Sequence, residues 1–333
     1  RNFLNNELLF DEEKNDMYSI LEKTIILKSI DLFSQIPSHI LTKIGKISTE
    51  LNYDKGSEIF KKGDFGDSLY VIVKGKINII QDHNSIAILE AGSCIGEMAL
   101  LDHEPRSADA LTMTDVVLLQ IDHKNILVDC SPDFRQQMLK SKVSKIDAIL
   151  FTHEHSDHTA GLDDVRPISF RHGKIPIFAH KRVITNLERR FDYLFDKKGY
   201  YSGAPHVFSN IINEDSNFNF EDIEFTTISY MHHKLQVFGF RYKNIAYITD
   251  LKEISEREIS KLYNLDVLVL NALRHKEHYS HINLTEALDI IDKLKPKRSY
   301  LTHIAPDMGM HSETQKQLPN NVFLAYDMLE VNL

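Results

Sequence analysis

No apolar run in the 333 residues approaches the ~20 that a bilayer span needs, so a membrane-spanning helix is excluded. Cysteine is nearly absent. Cys94 and Cys130 are the only two, each inside or beside an apolar strand-like run, so they read as packed thiols in a reducing cytoplasm rather than as a disulfide. Net positive charge is missing too: a formal charge of -9 argues against non-specific binding to extended nucleic acid or anionic lipid. A cationic metal centre could still attract a phosphate locally. No signal peptide is visible, and a chain that opens on Arg1 reads as a fragment or a processed product. What is present is ordinary for a soluble protein, 42% hydrophobic and 26% charged, with length enough for two domains.

The chain is organised around His153-Glu154-His155-Ser156-Asp157-His158, directly after the apolar run Ile146–Phe151. That run reads as a buried strand, so the histidines begin where a strand ends and a loop opens. Three imidazoles and a carboxylate within six residues cannot all face one ion from a regular strand or helix. A turn leading into a helix can aim them at two adjacent ions. Three later donors also follow apolar strand-like runs: His232 after Ser229-Tyr230, Asp250 after Ile245–Thr249 and His303 after Tyr300–Thr302. Ligands at strand ends are where a sandwich of sheets and helices places its site. Histidine and carboxylate donors suit zinc, manganese or iron.

Ahead of this lies a different pattern. Residues 1–31 are polar and then helical, with Met17, Ile20, Leu21 and Ile25 spaced for one face, and read as a helical connector. Ser38 to about Ser48 reads as a helix, with Ser38 at a cap position and Ile40, Leu41, Ile44 and Ile47 on its buried side. From Leu51 to Ile121 short β runs alternate with glycine turns, which suggests an antiparallel barrel or jelly roll. Within it, Gly96-Glu97-Met98-Ala99-Leu100 and Pro105-Arg106-Ser107-Ala108 make a small anion cradle. Free N–H groups open a short helix, a carboxylate can accept from a ribose hydroxyl, and an arginine can fork onto a phosphate.

That segment resembles the phosphate-binding cassette of cyclic nucleotide-binding domains, over roughly residues 32–122. The resemblance implies Gly96, Glu97, Arg106, Ser107 and Ala108 as ligand contacts, Glu97 on the ribose and Arg106 on the cyclic phosphate, with cyclic AMP or cyclic GMP as effector. The family normally closes with helices that lid the base. Here the strand Val116–Ile121 passes straight into other material.

Residues 123–333 resemble the metallo-β-lactamase fold, through the histidine cluster and Thr159-Ala160-Gly161-Leu162-Asp163-Asp164 after it. The fold class expected is therefore α+β with two domains, a β jelly roll followed by an αβ/βα sandwich lacking its usual first strands. Asp122-His123-Lys124-Asn125 between two apolar runs is a hairpin signal, so one strand is claimed by both domains. A sheet edge left open there would invite pairing with a second copy of the chain.

By resemblance, His153, His155 and His232 hold one ion, Asp157, His158 and His303 the other, and Asp250 bridges them. Asp129 braces the metal loop. His232-His233-Lys234-Leu235 fits the family pattern only with His232 as ligand, and Glu154 points away as an outer or surface residue. Ser280-His281-Ile282-Asn283 resembles the extra active-site histidine of the cyclic-phosphate phosphodiesterases of the carbon–phosphorus lyase pathway. The function implied is a dinuclear-metal phosphodiesterase acting on a small or cyclic diester, with Asp157 and His281 in catalysis. Two other readings share these residues: a tRNA 3′-processing ribonuclease, disfavoured by the acidic balance, and a nucleotide sensor with an inert, truncated hydrolase half. Lys197–Ser209 reads as a loop that covers a cleft, and Lys181–Phe195 as a helix with arginine-rich exposed faces.

Overall fold

A computed structural model describes residues 17–331 apart from 65, 67, 99–104, 123, 142, 196–202 and 205. The chain divides into two compact units, Arg1–His123 and Lys124–Leu333. No helix among the described residues is long and apolar enough to cross a membrane.

In the first unit, α1 (Ile20–Ser29) starts at a capping box in which Ser19 and Glu22 satisfy each other's backbone donors. It packs on α2 (Ser38–Ile47). Leu27, Ile30, Phe33 and Leu41 then join Leu69, Val71, Leu119 and Ile121 in one core cluster. The helical connector expected over 1–31 is corrected accordingly: from Ile20 onward this segment belongs to the core of the first unit, while residues 1–16 lie outside the described ones. Its buried face carries Lys23, Thr24 and Leu27, and Met17, Ile20, Leu21 and Ile25 are exposed. Ile40 is exposed as well, and Pro37 rather than Ser38 caps α2. Helical spacing marks a common face without saying which neighbour covers it.

Eight strands follow: β1 (Thr49–Tyr53), β2 (Glu58–Phe60), β3 (Ser68–Lys74), β4 (Lys76–Gln81), β5 (Asn84–Glu90), β6 (Cys94–Ile95), β7 (Asp109–Thr112) and β8 (Val116–Asp122). They form two antiparallel sheets, ordered β1-β8-β3-β6 and β2-β7-β4-β5. Leu118 of β8 stands opposite Leu51 of β1 on one side and Ile72 of β3 on the other. Both edges of β8 are therefore hydrogen-bonded inside the jelly roll.

The second unit opens with a parallel sheet, β12-β11-β10-β9. Its elements are β9 (Ile126–Val128), α3 (Phe134–Ser141), β10 (Ala148–Leu150), α4 (Ser156–Thr159), α5 (Arg166–His172), β11 (Ile175–His180), α6 (Lys181–Arg190) and β12 (Val207–Ile212). A seven-stranded mixed sheet completes it: β13 (Asn217–Phe220), β14 (Ile223–His232), β15 (Leu235–Tyr242), β16 (Ile245–Ile248), β17 (Val267–Asn271), β18 (Arg298–Thr302) and β19 (Val322–Leu324), in that order. Helices α7 (Glu256–Ser260), α8 (Leu284–Leu294) and α9 (His311–Gln315) lie between its later strands in sequence.

Period-two alternation splits the strand residues between layers. Ile149 and Phe151 enter a cluster with the helix residues Phe134, Val183 and Leu187, whereas Ala148 and Leu150 face Phe225, Phe238 and Phe240 from the other sheet. Leu268 and Leu270 pack on Ala287 and Ile291 of α8. The result is an αβ/βα sandwich in which β9 is the first strand among the described residues of the second unit. Among the described residues β9 pairs only with β10, in parallel, so the expected hairpin across residues 122–125 is corrected. The doubly claimed strand, β8, is taken by the jelly roll, where it has two partners to bond rather than one.

Candidate metal centre

The ends of β9, β10, β14, β16 and β18 in the second unit deliver polar side chains to a common place. Asp129, Asp250 and His303 follow β9, β16 and β18, and each takes a left-handed backbone with φ of 59°, 57° and 54°. Residues other than glycine adopt that conformation at a cost of ~1–3 kcal/mol, which surrounding contacts must outweigh. Those contacts are visible at Asp129. One carboxylate oxygen accepts from the Thr152 N–H at 2.8 Å, the other from the Thr152 hydroxyl at 2.8 Å and from His158 Nδ1 at 2.7 Å.

This network sets the histidine tautomers. The Thr152 hydroxyl proton is committed to Asp129, so its oxygen must accept from His153 Nδ1, 3.0 Å away. His158 Nδ1 donates to Asp129, and His232 Nδ1 donates to the Ser280 carbonyl at 2.8 Å. Each of the three rings thus turns Nε2 toward the others. His153 Nε2 and His158 Nε2 are buried and make no aligned hydrogen bond. Two buried imidazole nitrogens in that condition are costly unless something coordinates them.

The remaining donors converge on the same space. One donor atom each from Asp157, His158, Asp250 and His303 lies within 4.8 Å of the others, and the same holds for His232, Asp250 and His281. The rings of His153, His155 and His232 have centroids 4.5–5.9 Å apart. Asp250 receives His158 Nε2 at 3.2 Å on one oxygen, and His281 Nε2 at 3.0 Å and His303 Nε2 at 3.3 Å on the other. The donor set fits two divalent ions with Asp250 shared between them.

Charge within the cluster points the same way. Burial opposes a charged His158, yet the carboxylates of Asp129, Asp157 and Asp250 outweigh it and hold its pKa up to about 12. A proton there occupies the position of a cation. Burial and the neighbouring His158 push His153 down to about 2, and burial lowers His232 and His303. The His158 imidazole, its Nε2 3.3 Å from the carboxylate, holds Asp157 down to about 2. Burial works against ionised Asp250, but the imidazoles around it keep its carboxyl well below the usual range.

Gly161 explains the close seat of the loop. A Cβ there would strike the Ser131 carbonyl and Phe134, and its N–H donates to the Cys130 carbonyl at 3.0 Å. Glu154 is not a surface residue. Its carboxylate is paired with Arg182 of α6, and Arg190 of the same helix donates to its carbonyl. The sequence pattern puts those arginines on exposed faces; a glutamate between two ligands, followed by a basic helix, is the signal for their pairing. Of the loop at 197–209, residues 197–202 and 205 lie outside the described ones.

The jelly roll has its own cavity, about 270 Å3, lined by Phe60, Leu89, Cys94, Gly96, Glu97, Arg106, Ser107 and Ala108 among others. Arg106 is buried. It donates to the carbonyls of Gly96 at 2.9 Å and Ser68 at 2.8 Å, and its guanidinium lies 4.3 Å from the Phe60 ring centroid. A Cβ at Gly66 or Gly96 would collide with it. Of the expected cassette, Ala99 and Leu100 lie outside the described residues.

A family model described as a beta-lactamase superfamily domain matches residues 124–304, and one described as a cyclic nucleotide-binding domain matches residues 50–128. The chain is 35% identical over 223 residues to the octanoyltransferase of Porphyromonas gingivalis, a match taking 67% of this chain and 45% of that protein. It is 33% identical over 111 residues to a cAMP-dependent protein kinase regulatory subunit of Eremothecium gossypii, 32% of this chain and 24% of that protein. It therefore spans less than half the length of these curated relatives. Among solved structures it is similar to a diphosphatase from the PhnP family, at 30% identity and a TM-score of 0.59, covering 80% of this chain and 98% of that one.

Proposed function

Because this chain belongs to the beta-lactamase superfamily and carries a cyclic nucleotide-binding domain, we propose that it is a two-metal phosphodiesterase acting on a small or cyclic phosphate diester, with a nucleotide-sensing first unit. His153, His155 and His232 would hold one ion, Asp157, His158 and His303 the other, and Asp250 would serve both. Two divalent ions, zinc or manganese by donor type and iron by the same chemistry, supply Lewis acidity toward phosphoryl oxygens and lower the pKa of water toward neutrality. The observation that carries the reading is His153 Nε2, buried without a hydrogen-bond partner, beside His158 Nε2, which faces the carboxylates of Asp250 and Asp157 at 3.2 and 3.3 Å.

Hydrolysis of a diester breaks one P–O bond, leaves the oxygen of water on phosphorus and returns a proton to the departing oxygen. Asp157, held as a carboxylate and half-exposed, is placed to orient water and take its proton. His281 stands at Asp250 with Nε2 inward, and its Nδ1 lies 3.0 Å from the Ser280 hydroxyl. That position suits a donor to the phosphoryl group or to the leaving oxygen. The name octanoyltransferase belongs to a protein that the match covers by less than half, and no acyl-transfer chemistry is carried over from it.

In the first unit, Arg106 would receive the cyclic phosphate and Glu97 the ribose of cyclic AMP or cyclic GMP, with Gly96, Ser107 and Ala108 along the same wall. The deciding experiment is metal content together with hydrolysis of bis(p-nitrophenyl) phosphate. About two ions per chain with activity, and loss of one ion together with the activity in Asp157→Ala, is the expected result. No metal and no activity would leave only a nucleotide receptor. Saturating cyclic nucleotide should change the rate, and an unchanged rate would reduce the first unit to a binding module.

A further inference from the structure

We propose that Arg182 is a positioning residue that sets the spacing between the His153/His155 loop and His232, and so controls retention of one of the two ions but not the other. The inference rests on the metal assignment above. Glu154 sits between two ligands, its side chain only 15% exposed. Arg182 Nε donates to one of its oxygens at 2.8 Å and Nη2 to the other at 3.1 Å, a bidentate fork. The same Nη2 donates to the Gln236 carbonyl at 2.5 Å.

Gln236 lies on β15 opposite Met231, one step from the His232–Leu235 pair that closes the β14–β15 hairpin. A single guanidinium therefore ties the metal loop to the hairpin that bears the third ligand of the same ion. Its base is rigid, because Val183, Ile184 and Leu187 of α6 are buried in the core. Arg190, at the far end of α6, acts differently. It donates to the Glu154 carbonyl at 3.1 Å and the Thr159 hydroxyl at 2.8 Å, gripping the loop rather than the hairpin.

The second ion has other supports. His158 is set by Asp129, and Asp250 and His303 arrive from β16 and β18 in the second sheet. The hydrogen bonds of the Arg182 guanidinium go to Glu154 and Gln236 and to none of these. Metal affinity falls steeply when ligands are displaced by fractions of an ångström, and losing an outer hydrogen-bond partner typically weakens binding ~10–100-fold.

The experiment loads the two-unit chain with zinc, confirms folding by circular dichroism, and follows release of the metal to a chromogenic chelator. Wild type should release about two ions. In Arg182→Met one phase should release ~10–100-fold faster while the other keeps its wild-type rate. Arg182→Lys, which can reach Glu154 or Gln236 but not hold both, should fall between. Glu154→Gln covers the case in which Arg182→Met misfolds, and should accelerate the same phase. Combining Arg182→Met with Asp157→Ala should strip both ions. Two unchanged phases in Arg182→Met and Glu154→Gln would overturn the proposal alone, as would equal acceleration of both. Wild type that binds no zinc would overturn the metal assignment and this inference with it.

Discussion

Asp129 and His158 stand 29 residues apart in the chain and meet at 2.7 Å, Oδ2 to Nδ1. Through Thr152 the same carboxylate also orients His153. One side chain thus fixes a ring in each of the two proposed ion sites, which is why it differs from Arg182 in what its loss should do.

Asp129→Asn keeps the left-handed backbone accessible, since asparagine tolerates φ near 59°, but removes the charge. Both zinc-release phases should accelerate by ~10–100-fold, in contrast to the single phase affected by Arg182→Met. A selective effect on one phase would contradict the shared role.

His281→Asn should leave about two ions bound and lower kcat for bis(p-nitrophenyl) phosphate by ~10²–10⁴, the usual range for a general acid or base. Metal content and steady-state kinetics on one preparation check this. A lost ion would move His281 into the ligand set beside His232 and Asp250.

Metal-free protein should respond to pH on both sides of neutrality. The folded pKa of His158, raised to about 12, makes its contribution to stability fully present below the ordinary value of 6.5 and lost as pH rises toward 12. His153, pushed down to about 2, acts in reverse. The unfolded chain binds a proton below 6.5 that the folded one refuses, so stability falls as pH drops through that value. Melting temperatures of chelator-treated protein should peak near 6.5, and zinc binding near pH 7 should release protons, read as a buffer-dependent calorimetric enthalpy.

Arg106→Ala should weaken cyclic nucleotide binding by roughly 10–150-fold, as expected for losing charged hydrogen bonds worth ~1.5–3 kcal/mol. Zinc stoichiometry should be unchanged. Titration with a fluorescent cyclic AMP analogue, and separately with a cyclic GMP analogue, measures the loss and the preference.

Cys94 lines the jelly-roll cavity, and burial followed by the charge of Glu97 raises its thiol to about 11. At pH 8 about one thiol in a thousand is ionised, so iodoacetamide should react slowly and about tenfold faster at pH 9. Cyclic nucleotide should protect it. Mass spectrometry of alkylated peptides gives both rates, and equal labelling with and without nucleotide would place the ligand elsewhere.

Much of the site can be read from the chain because its ligands follow strongly apolar strands. A continuous apolar run such as Ile245–Ile248 announces a buried strand, and a polar residue straight after it must lie at the strand's mouth. His153 to His158 are legible for the same reason. Less legible was Glu154, whose partners Arg182 and Arg190 lie 28 and 36 residues away on a helix that reads as solvated. The exposed face of α1 is not legible in the sequence because apolar residues lie all round this helix, and α2 covers the side that bears Lys23, Thr24 and Leu27.

By itself, the order of residues determined the two units, the strand ends that bear donors and the chemical type of every donor. Those features follow from local spacing and side-chain chemistry. Only the tertiary structure decided which strands β8 joins, which nitrogen each histidine turns inward and which arginine ties the metal loop to the hairpin. Each of these is a choice among distant partners, settled by packing and hydrogen-bond satisfaction between segments whose mutual distance no local pattern encodes.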